Sequence, residues 1–356
     1  MNNRFAFLPM RSSSDLLGGP DALRSRLAED SYLYFPGLLD RERVLAVRQD
    51  VLDVIKRLGW VNVRGDGIDM CKVLPLREED DEFIEGYKQV QRLQSFHELA
   101  HEPELLDAMQ QVLGPTAFPH PLKIARLAFP DHYEASTPPH QDFPNNQGTE
   151  SLTATWIPIT DIEPELGGLA ILRGSHRWGL LPMEGHIGAG NRTAIISPEM
   201  AEACRWVTAD FRMGDVLLFP SLAVHASLHN ASEFQMRLSV DFRYQLERQP
   251  LTPGCLEPHF GNQTWEEIYA GWDDDRLQYY WKGLKYKVVK FEDLPVAPGG
   301  DMRETAAQIF RYKARVKERT KRRLAKLGIE YKSRKFRASS VERHEERLQK
   351  EDTPQG

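Results

Sequence analysis

The chain has 356 residues, 41% of them hydrophobic and 10% aromatic, which is enough to bury a large core and excludes a mostly disordered protein. Its formal charge of −6 hides an asymmetry, because residues 311–352 hold 16 Lys and Arg against 7 Asp and Glu. Three cysteines without a C-x-x-C pair argue against a zinc ribbon or a disulfide framework, and no apolar run is long enough to span a membrane. We therefore expect a cytoplasmic protein with no membrane partner.

The first third of the chain has the pattern of helices that support a core. Residues 31–35 (SYLYF) form a short predicted strand, and a helix follows that Asp40 is placed to cap. Apolar residues recur in this helix at steps of three and four: Val44, Val47, Val51, Leu52, Ile55 and Leu58. A second helical region is predicted over about 81–112, before Gly114. We therefore expect helical support over residues 1–115.

Between residues 120 and 246 the sequence changes to short runs of β-branched and aromatic residues broken by Pro, Gly and Asn. The strand candidates are PLKIARLAF, LTATWIPIT, LAIL, GDVLLF, LAVHAS and MRLSVDFRY. No ten-residue helical pattern separates most of them, which favours an antiparallel sandwich or barrel over a parallel sheet with helical crossovers. This segment is the predicted barrel core of one domain that spans residues 1–295.

Two further segments follow the barrel core. Residues 260–295 are rich in Trp and Tyr, and we expect them to pack on the outside of the barrel or, alternatively, to form a lid over it. The linker PVAPGG then leads into residues 296–356, a basic stretch of high helix propensity whose polar end is predicted to be disordered.

His140 and Asp142, in PPHQDFPNNQ, offer two metal ligands separated by one residue. In an extended strand, residues i and i+2 project from the same face, so both can point at one ion while Gln141 faces away. The best third ligand is His225, in LAVHASLHN, where an apolar run abruptly becomes polar. Two imidazoles and one carboxylate leave three octahedral positions open, which suits an Fe(II) ion that binds a co-substrate and O2 better than it suits structural zinc. The H-x-D pair alone is also typical of a surface turn.

Arg237 is the candidate for holding an anionic co-substrate. Iron oxygenases of this kind usually draw electrons from a 2-oxo acid, whose distal carboxylate is best held by the charged fork of an arginine. In MRLSVDFRY the period of two separates an apolar face from a polar face. The apolar face holds Met236, Leu238, Val240 and Phe242, and the polar face holds Arg237, Ser239 and Asp241. Arg237 can therefore look into a polar site, although a solvated arginine on an edge strand would show the same pattern.

The order of these motifs, from about residue 31 to 245, resembles the phytanoyl-CoA dioxygenase family of Fe(II)- and 2-oxoglutarate-dependent oxygenases. The resemblance rests on SYLYFPGLLD, HQDFP, TWIPITDIEPELGGLAILRGSHRWG, FRMGDVLLFPSLAVHAS and an arginine twelve residues after His225. It covers well over half of the chain, and the ordered set is more specific than any single motif.

The resemblance implies a fold, a set of cofactors and the residues that bind them. The fold would be mainly β with α: a double-stranded β-helix, a jelly-roll barrel flanked by N-terminal helices, with a charged C-terminal helical extension. His140, Asp142 and His225 match the iron ligands. Arg237 matches the arginine that holds the C5 carboxylate of 2-oxoglutarate. Three further positions match residues of the co-substrate pocket: Ser227, Lys123 and Trp156.

The activity implied by the resemblance is hydroxylation of an unactivated C–H bond in a small-molecule metabolite, with release of succinate and CO2. Asp142 occupies the position that halogenases of the family leave free for chloride, so hydroxylation or another oxidation is favoured over halogenation. Substrate specificity is expected to reside in loops 143–151 and 183–206, whose sequences do not identify the substrate. An acyl-CoA is disfavoured because the barrel portion is acidic overall.

Two other functions compete with this hypothesis. A nucleic-acid-modifying oxygenase would use the basic tail, and the R-x5-R pattern in RLSVDFR resembles one in nucleic-acid demethylases. The tail lacks the aromatic interleaving of single-strand binders, so nucleic acid is not the expected partner, and Arg243 is expected at a solvated strand end. A catalytically silent barrel used for binding would have lost a metal ligand or Arg237, and none is lost. The sequence leaves the oligomeric state open.

Overall fold

The computed structural model describes residues 7–64, 68–71, 76, 80–130, 136–185, 192–232 and 234–296. Within them the helices are α1 (Pro20–Asp30), α2 (Arg41–Arg57), α3 (Asp81–Gln91), α4 (Gln94–Glu98), α5 (Pro103–Leu113), α6 (Phe143–Asn146), α7 (Pro198–Ala203) and α8 (Trp265–Tyr269). The strands are β1 (Leu8–Pro9), β2 (Leu33–Phe35), β3 (Val61–Arg64), β4 (Ile68–Cys71), β5 (Ala117–Pro119), β6 (Ile124–Ala128), β7 (Thr153–Pro158), β8 (Leu169–Arg173), β9 (Met183–Gly185), β10 (Arg192–Ala194), β11 (Arg205–Thr208), β12 (Val216–Pro220), β13 (His225–Ser227), β14 (Arg237–Leu246), β15 (Pro250–Leu251) and β16 (Lys287–Val288). The predicted basic helix and tail beyond residue 296 lie outside the described residues.

The N-terminal helices form where the sequence pattern predicts them. The carboxylate of Asp40 accepts hydrogen bonds from the backbone N–H groups of Glu42 and Arg43, which confirms the predicted cap of α2. The second helical region is divided into α3, α4 and α5. Pro103 starts α5, where its missing N–H leaves no helical hydrogen bond unmade, and Gly114 ends the helix as predicted. No helix in the described ranges is both long and apolar enough to cross a bilayer.

Two sheets hold the strands that form the centre of the protein. The six-stranded major sheet has the order β2-β12-β7-β14-β5, with β6 also paired to β14, and the four-stranded minor sheet has the order β1-β11-β8-β13. Their pairs are antiparallel except for β1 and β11, which run parallel. The predicted antiparallel architecture is confirmed. The closed barrel is not: among the described strands no ladder of hydrogen bonds joins the edge of one sheet to the edge of the other, so the structure is a sandwich of two sheets with helices.

The two faces of the major sheet cover two different cores. One face packs against the N-terminal helices and contributes Leu238, Val240 and Phe242 of β14, with Met236 just before the strand. The other face packs against the minor sheet, with Trp156 and Phe219 meeting Ile171 and Val207. Asp241 is the register partner of Trp156, so the polar face of β14 looks into the space between the sheets. The predicted alternation along β14 is confirmed, and it directs a row of polar side chains into the interior of the sandwich.

The aromatic segment 260–295 packs against the helical layer and the edge strand β5. The indole N–H of Trp272 donates to the carbonyl of Arg92 at 3.0 Å, and the hydroxyl of Tyr280 donates to the carbonyl of Pro119 at 2.8 Å. The rings of this segment also pack on one another. These contacts favour packing on the outside of the protein over a lid.

Candidate metal centre

His140, Asp142 and His225 converge on one point although 85 residues of sequence separate the last from the first. His140 pairs with His225 through an isolated antiparallel bridge, which continues the minor sheet beyond β13, and Asp142 stands at the start of α6. One ligand atom from each residue lies within 4.8 Å of the others, and all three side chains are buried. The three predicted ligands are therefore together in the structure.

Hydrogen bonds to the backbone fix which nitrogen of each imidazole faces the centre. Nδ1 of His140 lies 2.8 Å from the carbonyl of Pro138, and Nδ1 of His225 lies 3.0 Å from the carbonyl of Ala223. A carbonyl only accepts, so Nδ1 carries the proton in both rings and Nε2 presents its lone pair. Each Nε2 lies 3.8 Å from Oδ1 of Asp142.

This donor set fits an octahedral Fe(II) ion. With metal–ligand bonds of ~2.1 Å, ligand atoms at right angles lie ~3 Å apart, so each Nε2 would have to approach Oδ1 of Asp142 by under ~1 Å. Two neutral imidazoles and one carboxylate on a common face are the ligands expected for a non-haem iron that keeps three positions for other molecules. Structural zinc requires a fourth protein ligand, and the described residues provide only these three in the cluster.

The charge states needed for metal binding are already present in the protein at neutral pH. Burial lowers the pKa of His140 to about 3 and also lowers that of His225, so both rings stay neutral. Burial alone would raise the pKa of Asp142, but the guanidinium of Arg243 together with the two imidazoles holds that pKa below its usual range. Metal binding therefore does not have to displace protons from these side chains.

Arg243 lies against the metal centre rather than at a solvated strand end, so that expectation is wrong. Its side chain is 5% exposed, and Nη2 lies 3.1 Å from each carboxylate oxygen of Asp142. Nε and Nη1 have no hydrogen-bond acceptor within the described residues. The available signal was the spacing from Arg237, because an even separation on one strand puts both side chains on the same face. The R-x5-R pattern thus includes an arginine at the candidate metal centre.

Gln141, between two of the ligands, ties their turn to the rest of the site. Its amide nitrogen donates to the carbonyls of Gly179 at 2.8 Å and Leu222 at 2.7 Å, and its oxygen accepts from the backbone N–H of Leu181 at 2.8 Å. Leu222 lies in the turn that leads to His225. Sequence reasoning predicts only that this side chain faces away from the ion, and gives no sign that it joins the two ligand-bearing segments.

Arg237 and Ser227 lie in contact between the two sheets. Nη2 of Arg237 donates to the hydroxyl of Ser227 at 2.7 Å, and Nη1 donates to the carbonyls of Gly167 and Leu228. The side chain is buried, which excludes the solvated edge arginine. Burial lowers the pKa of Arg237 to about 10, so the group remains charged at neutral pH. Its hydrogen bonds within the described residues all go to neutral acceptors, so this buried cation lacks a hydrogen-bonded carboxylate partner.

Gly167 lets the backbone approach Arg237 closely. Its φ of +64° lies in the region that favours glycine, and a Cβ at this position would lie 2.4 Å from the carbonyl oxygen of His229. Any larger residue would displace the carbonyl that accepts from the guanidinium of Arg237. The glycine therefore helps to hold the arginine in place.

Trp156 and Lys123 have different surroundings. Trp156 is buried on the face of β7 that looks at the minor sheet, with its ring 4.8 Å from that of Phe211. Lys123 is also buried, but its ammonium donates to the carbonyl of His120 and the hydroxyl of Tyr280, each at 3.3 Å. The predicted pocket role of each stays a prediction. The hydrogen bonds of Lys123 do not bring it to any of the three candidate metal ligands.

Comparisons with known proteins give a family match and two related enzymes. The family model described as phytanoyl-CoA dioxygenase (PhyH) matches residues 28–239. The 1-deoxypentalenic acid 11-beta-hydroxylase of Streptomyces arenae is 29% identical over 243 residues, which are 65% of this chain and 82% of that protein. The hydroxylase of the same name from Streptomyces exfoliatus is 26% identical over 247 residues, with the same coverage of 65% and 82%.

Solved structures give similar coverage. The non-heme alpha ketoglutarate dependent epimerase SnoN from nogalamycin biosynthesis is 20% identical, covers 65% of this chain and 84% of its own, and has a TM-score of 0.46. The non-heme monooxygenase ThoJ in its apo form is 17% identical, covers 66% of this chain and 86% of its own, and has a TM-score of 0.47.

Proposed function

The chain belongs to the phytanoyl-CoA dioxygenase family, and from this premise we propose that it hydroxylates an unactivated C–H bond of a small-molecule metabolite. It is an oxygenase that uses Fe(II), 2-oxoglutarate and O2. One oxygen atom of O2 would enter the substrate as a hydroxyl group and the other would enter succinate, while 2-oxoglutarate loses CO2. The observation that carries the proposal is the buried pair of imidazoles whose Nε2 atoms both face the carboxylate of Asp142.

His140, Asp142 and His225 would hold the iron, which when bound supplies the activation of O2 with electrons from the 2-oxo acid. The protein's own residues fix the positions around it. Backbone carbonyls orient both imidazoles, and Arg243 orients the carboxylate. Because these groups are buried between two sheets, water is kept from the reacting centre.

Arg237 and Ser227 would bind the C5 carboxylate of 2-oxoglutarate. A buried guanidinium that bonds only to neutral groups gains most from an anion, and the adjoining hydroxyl offers a further donor. Trp156, on the same interior face, would form part of the wall of this pocket. Lys123 completes the set of predicted pocket residues, although its observed contacts lie toward Tyr280.

We infer that the two sheets are the layers of a double-stranded β-helix. The chain passes from the major sheet to the minor sheet between β7 and β8, returns between β11 and β12, and crosses twice more through β13 to β14. Such crossings place the ligand turn and β13 side by side at one end of the sandwich.

The substrate class follows from the relatives and from the carboxylate ligand. Two relatives are named as hydroxylases of 1-deoxypentalenic acid, a small molecule, which supports a small-molecule substrate for this chain. Asp142 fills the third ligand position, which supports hydroxylation over halogenation. A silent binding barrel has no need of a charged, oriented and buried ligand set.

The proposal is tested by succinate formation. The purified enzyme with Fe(II), 2-oxoglutarate and O2 should release succinate above its basal rate when a panel of small organic acids contains a substrate. The product should gain one oxygen atom from 18O2 by mass spectrometry. Asp142→Ala should abolish both signals. Retention of substrate-dependent succinate release in Asp142→Ala would contradict the assignment of the metal centre.

A further inference from the structure

Arg243 has donor groups that the proposed function does not yet use. It lies on β14 six residues beyond Arg237, so both guanidinium groups belong to the strand face that looks toward the minor sheet. Nη2 is occupied by the two oxygens of Asp142 at 3.1 Å each. Nε and Nη1 are buried and have no acceptor within the part of the chain that the structure describes.

Unpaired N–H groups on a buried cation are rare in native proteins, because their loss of hydration is not compensated. In Arg243 they flank the nitrogen that contacts Asp142. A molecule that accepts from them must therefore lie beside the carboxylate that faces both imidazoles. This places the missing acceptor next to the metal position.

The charges indicate that the acceptor is an anion. The single negative charge of Asp142 faces both the guanidinium of Arg243 and the metal position. A divalent metal would therefore leave the centre with a net positive charge. 2-Oxoglutarate is a 2-oxo acid that carries a carboxylate at each end. Arg237 and Ser227 suit the distal carboxylate, which leaves the carboxylate at the metal end to meet a second arginine.

We propose that Arg243 is a second co-substrate-binding arginine, which positions Asp142 through Nη2 and donates from Nε or Nη1 to the metal-end carboxylate of the 2-oxo acid. This inference rests on the proposed function, because it requires a 2-oxo acid at the metal. It assigns the two ends of the co-substrate to two different arginines on one strand. Arg237 selects for a distal carboxylate, and Arg243 binds the part that every 2-oxo acid shares.

Two ligands separate these roles without any turnover. 2-Oxoglutarate has both carboxylates, whereas 2-oxovalerate has the same chain length and only the metal-end carboxylate. Their affinities are measured by calorimetry on the Co(II)-loaded full-length protein. Co(II) affinity without a 2-oxo acid is measured in parallel, because it reports the positioning of Asp142 alone.

The expected results differ between the two arginines. Arg243→Gln should weaken both 2-oxo acids by a similar factor of about 10- to 100-fold, so the ratio of their affinities stays as in the wild type. Arg237→Gln should weaken 2-oxoglutarate selectively and bring that ratio close to one. Arg243→Lys keeps the charge beside Asp142 with fewer donors, so it should fold as the wild type does and lose an intermediate amount of affinity.

Arg126 offers the matched control, because its Nε contacts the carboxylate of Asp241 at 2.8 Å on the same strand face. Arg126→Gln should leave Co(II) affinity and the affinities of both 2-oxo acids nearer to wild type than Arg243→Gln does.

If Arg243→Gln and Arg243→Lys bind both 2-oxo acids as Arg126→Gln does, the inference is wrong. The inference is also wrong if the two Arg243 variants lower the affinity for Co(II) but leave the affinities for both 2-oxo acids unchanged. If the wild type itself binds neither Co(II) nor 2-oxoglutarate, it is the proposed function that fails.

Discussion

Replacing Gln141 by Leu should loosen the metal centre without touching a ligand. The substitution removes the donors to the carbonyls of Gly179 and Leu222 and the acceptor for the N–H of Leu181. At about 1 kcal/mol of net stabilisation per hydrogen bond, the free energy of unfolding should fall by about 3 kcal/mol. Because these bonds tie the turn of His140 and Asp142 to the turn before His225, metal affinity should fall by about 10- to 100-fold.

Gln147 provides a control that loses similar bonds at a different place. Its amide donates to the carbonyls of Glu292 at 2.7 Å and Pro144 at 3.4 Å, and its oxygen accepts from the N–H of Glu292 at 2.9 Å. Gln147→Leu should therefore lose a comparable amount of stability while its metal affinity stays near that of the wild type.

Urea unfolding and Co(II) titration of the two variants measure the two effects separately. Stability should fall in both, and metal affinity should fall in Gln141→Leu alone. If the two variants bind Co(II) equally well, the three hydrogen bonds of Gln141 stabilise the fold but do not position the ligands, and the reasoning is refuted.

Three further predictions concern buried polar side chains. Burial lowers the pKa of His97 to about 3 and that of His120 to about 4, so the unfolded chain binds protons first as pH falls below the ordinary histidine value. Between pH 7.5 and 5 each of these two histidines should lower the free energy of unfolding of the metal-free protein by about 2 kcal/mol. His120→Gln should therefore reduce the pH dependence of the urea midpoint. An unchanged dependence would contradict this prediction. Burial also lowers the pKa of Lys123 to about 7, so Lys123→Met should raise the melting temperature at pH 7, while a lower melting temperature would show that the ammonium is stabilising. Ser227→Ala removes one donor beside Arg237 and should raise the KM for 2-oxoglutarate by about 5- to 10-fold with little change in kcat; an unchanged KM would place the co-substrate elsewhere.

The proximity of His140 and Asp142 could be predicted from sequence because it is local. His140 and Asp142 are two residues apart in sequence, with Asp142 at the start of α6, and the period of two on β14 separates its apolar side chains from Arg237 over ten residues. The cap at Asp40 is likewise a contact between neighbours in sequence. In each case the interaction depends on spacing, which the sequence states directly.

The rest of the site depends on contacts between distant segments. Arg243 lies on the same face of β14 as Arg237, which their even spacing predicts. Its burial, however, depends on the turn that carries Asp142, 101 residues earlier. Gln141 has three hydrogen-bond partners, and all of them lie 38 to 81 residues further along the chain. No periodic pattern encodes such distances. The absence of a ladder that closes the described strands into a barrel could not be predicted for a similar reason, since strand candidates do not state which edges pair.

We propose that His140, Asp142 and His225 hold one ferrous ion that a 2-oxo acid then chelates. Anaerobic titration of the full-length protein with Fe(II) and 2-oxoglutarate tests it most directly, because chelation gives a weak visible charge-transfer band. The band should saturate at one iron per chain and be lost in both Asp142→Ala and His225→Ala. A wild-type protein without the band, or a band that persists in either variant, would contradict it.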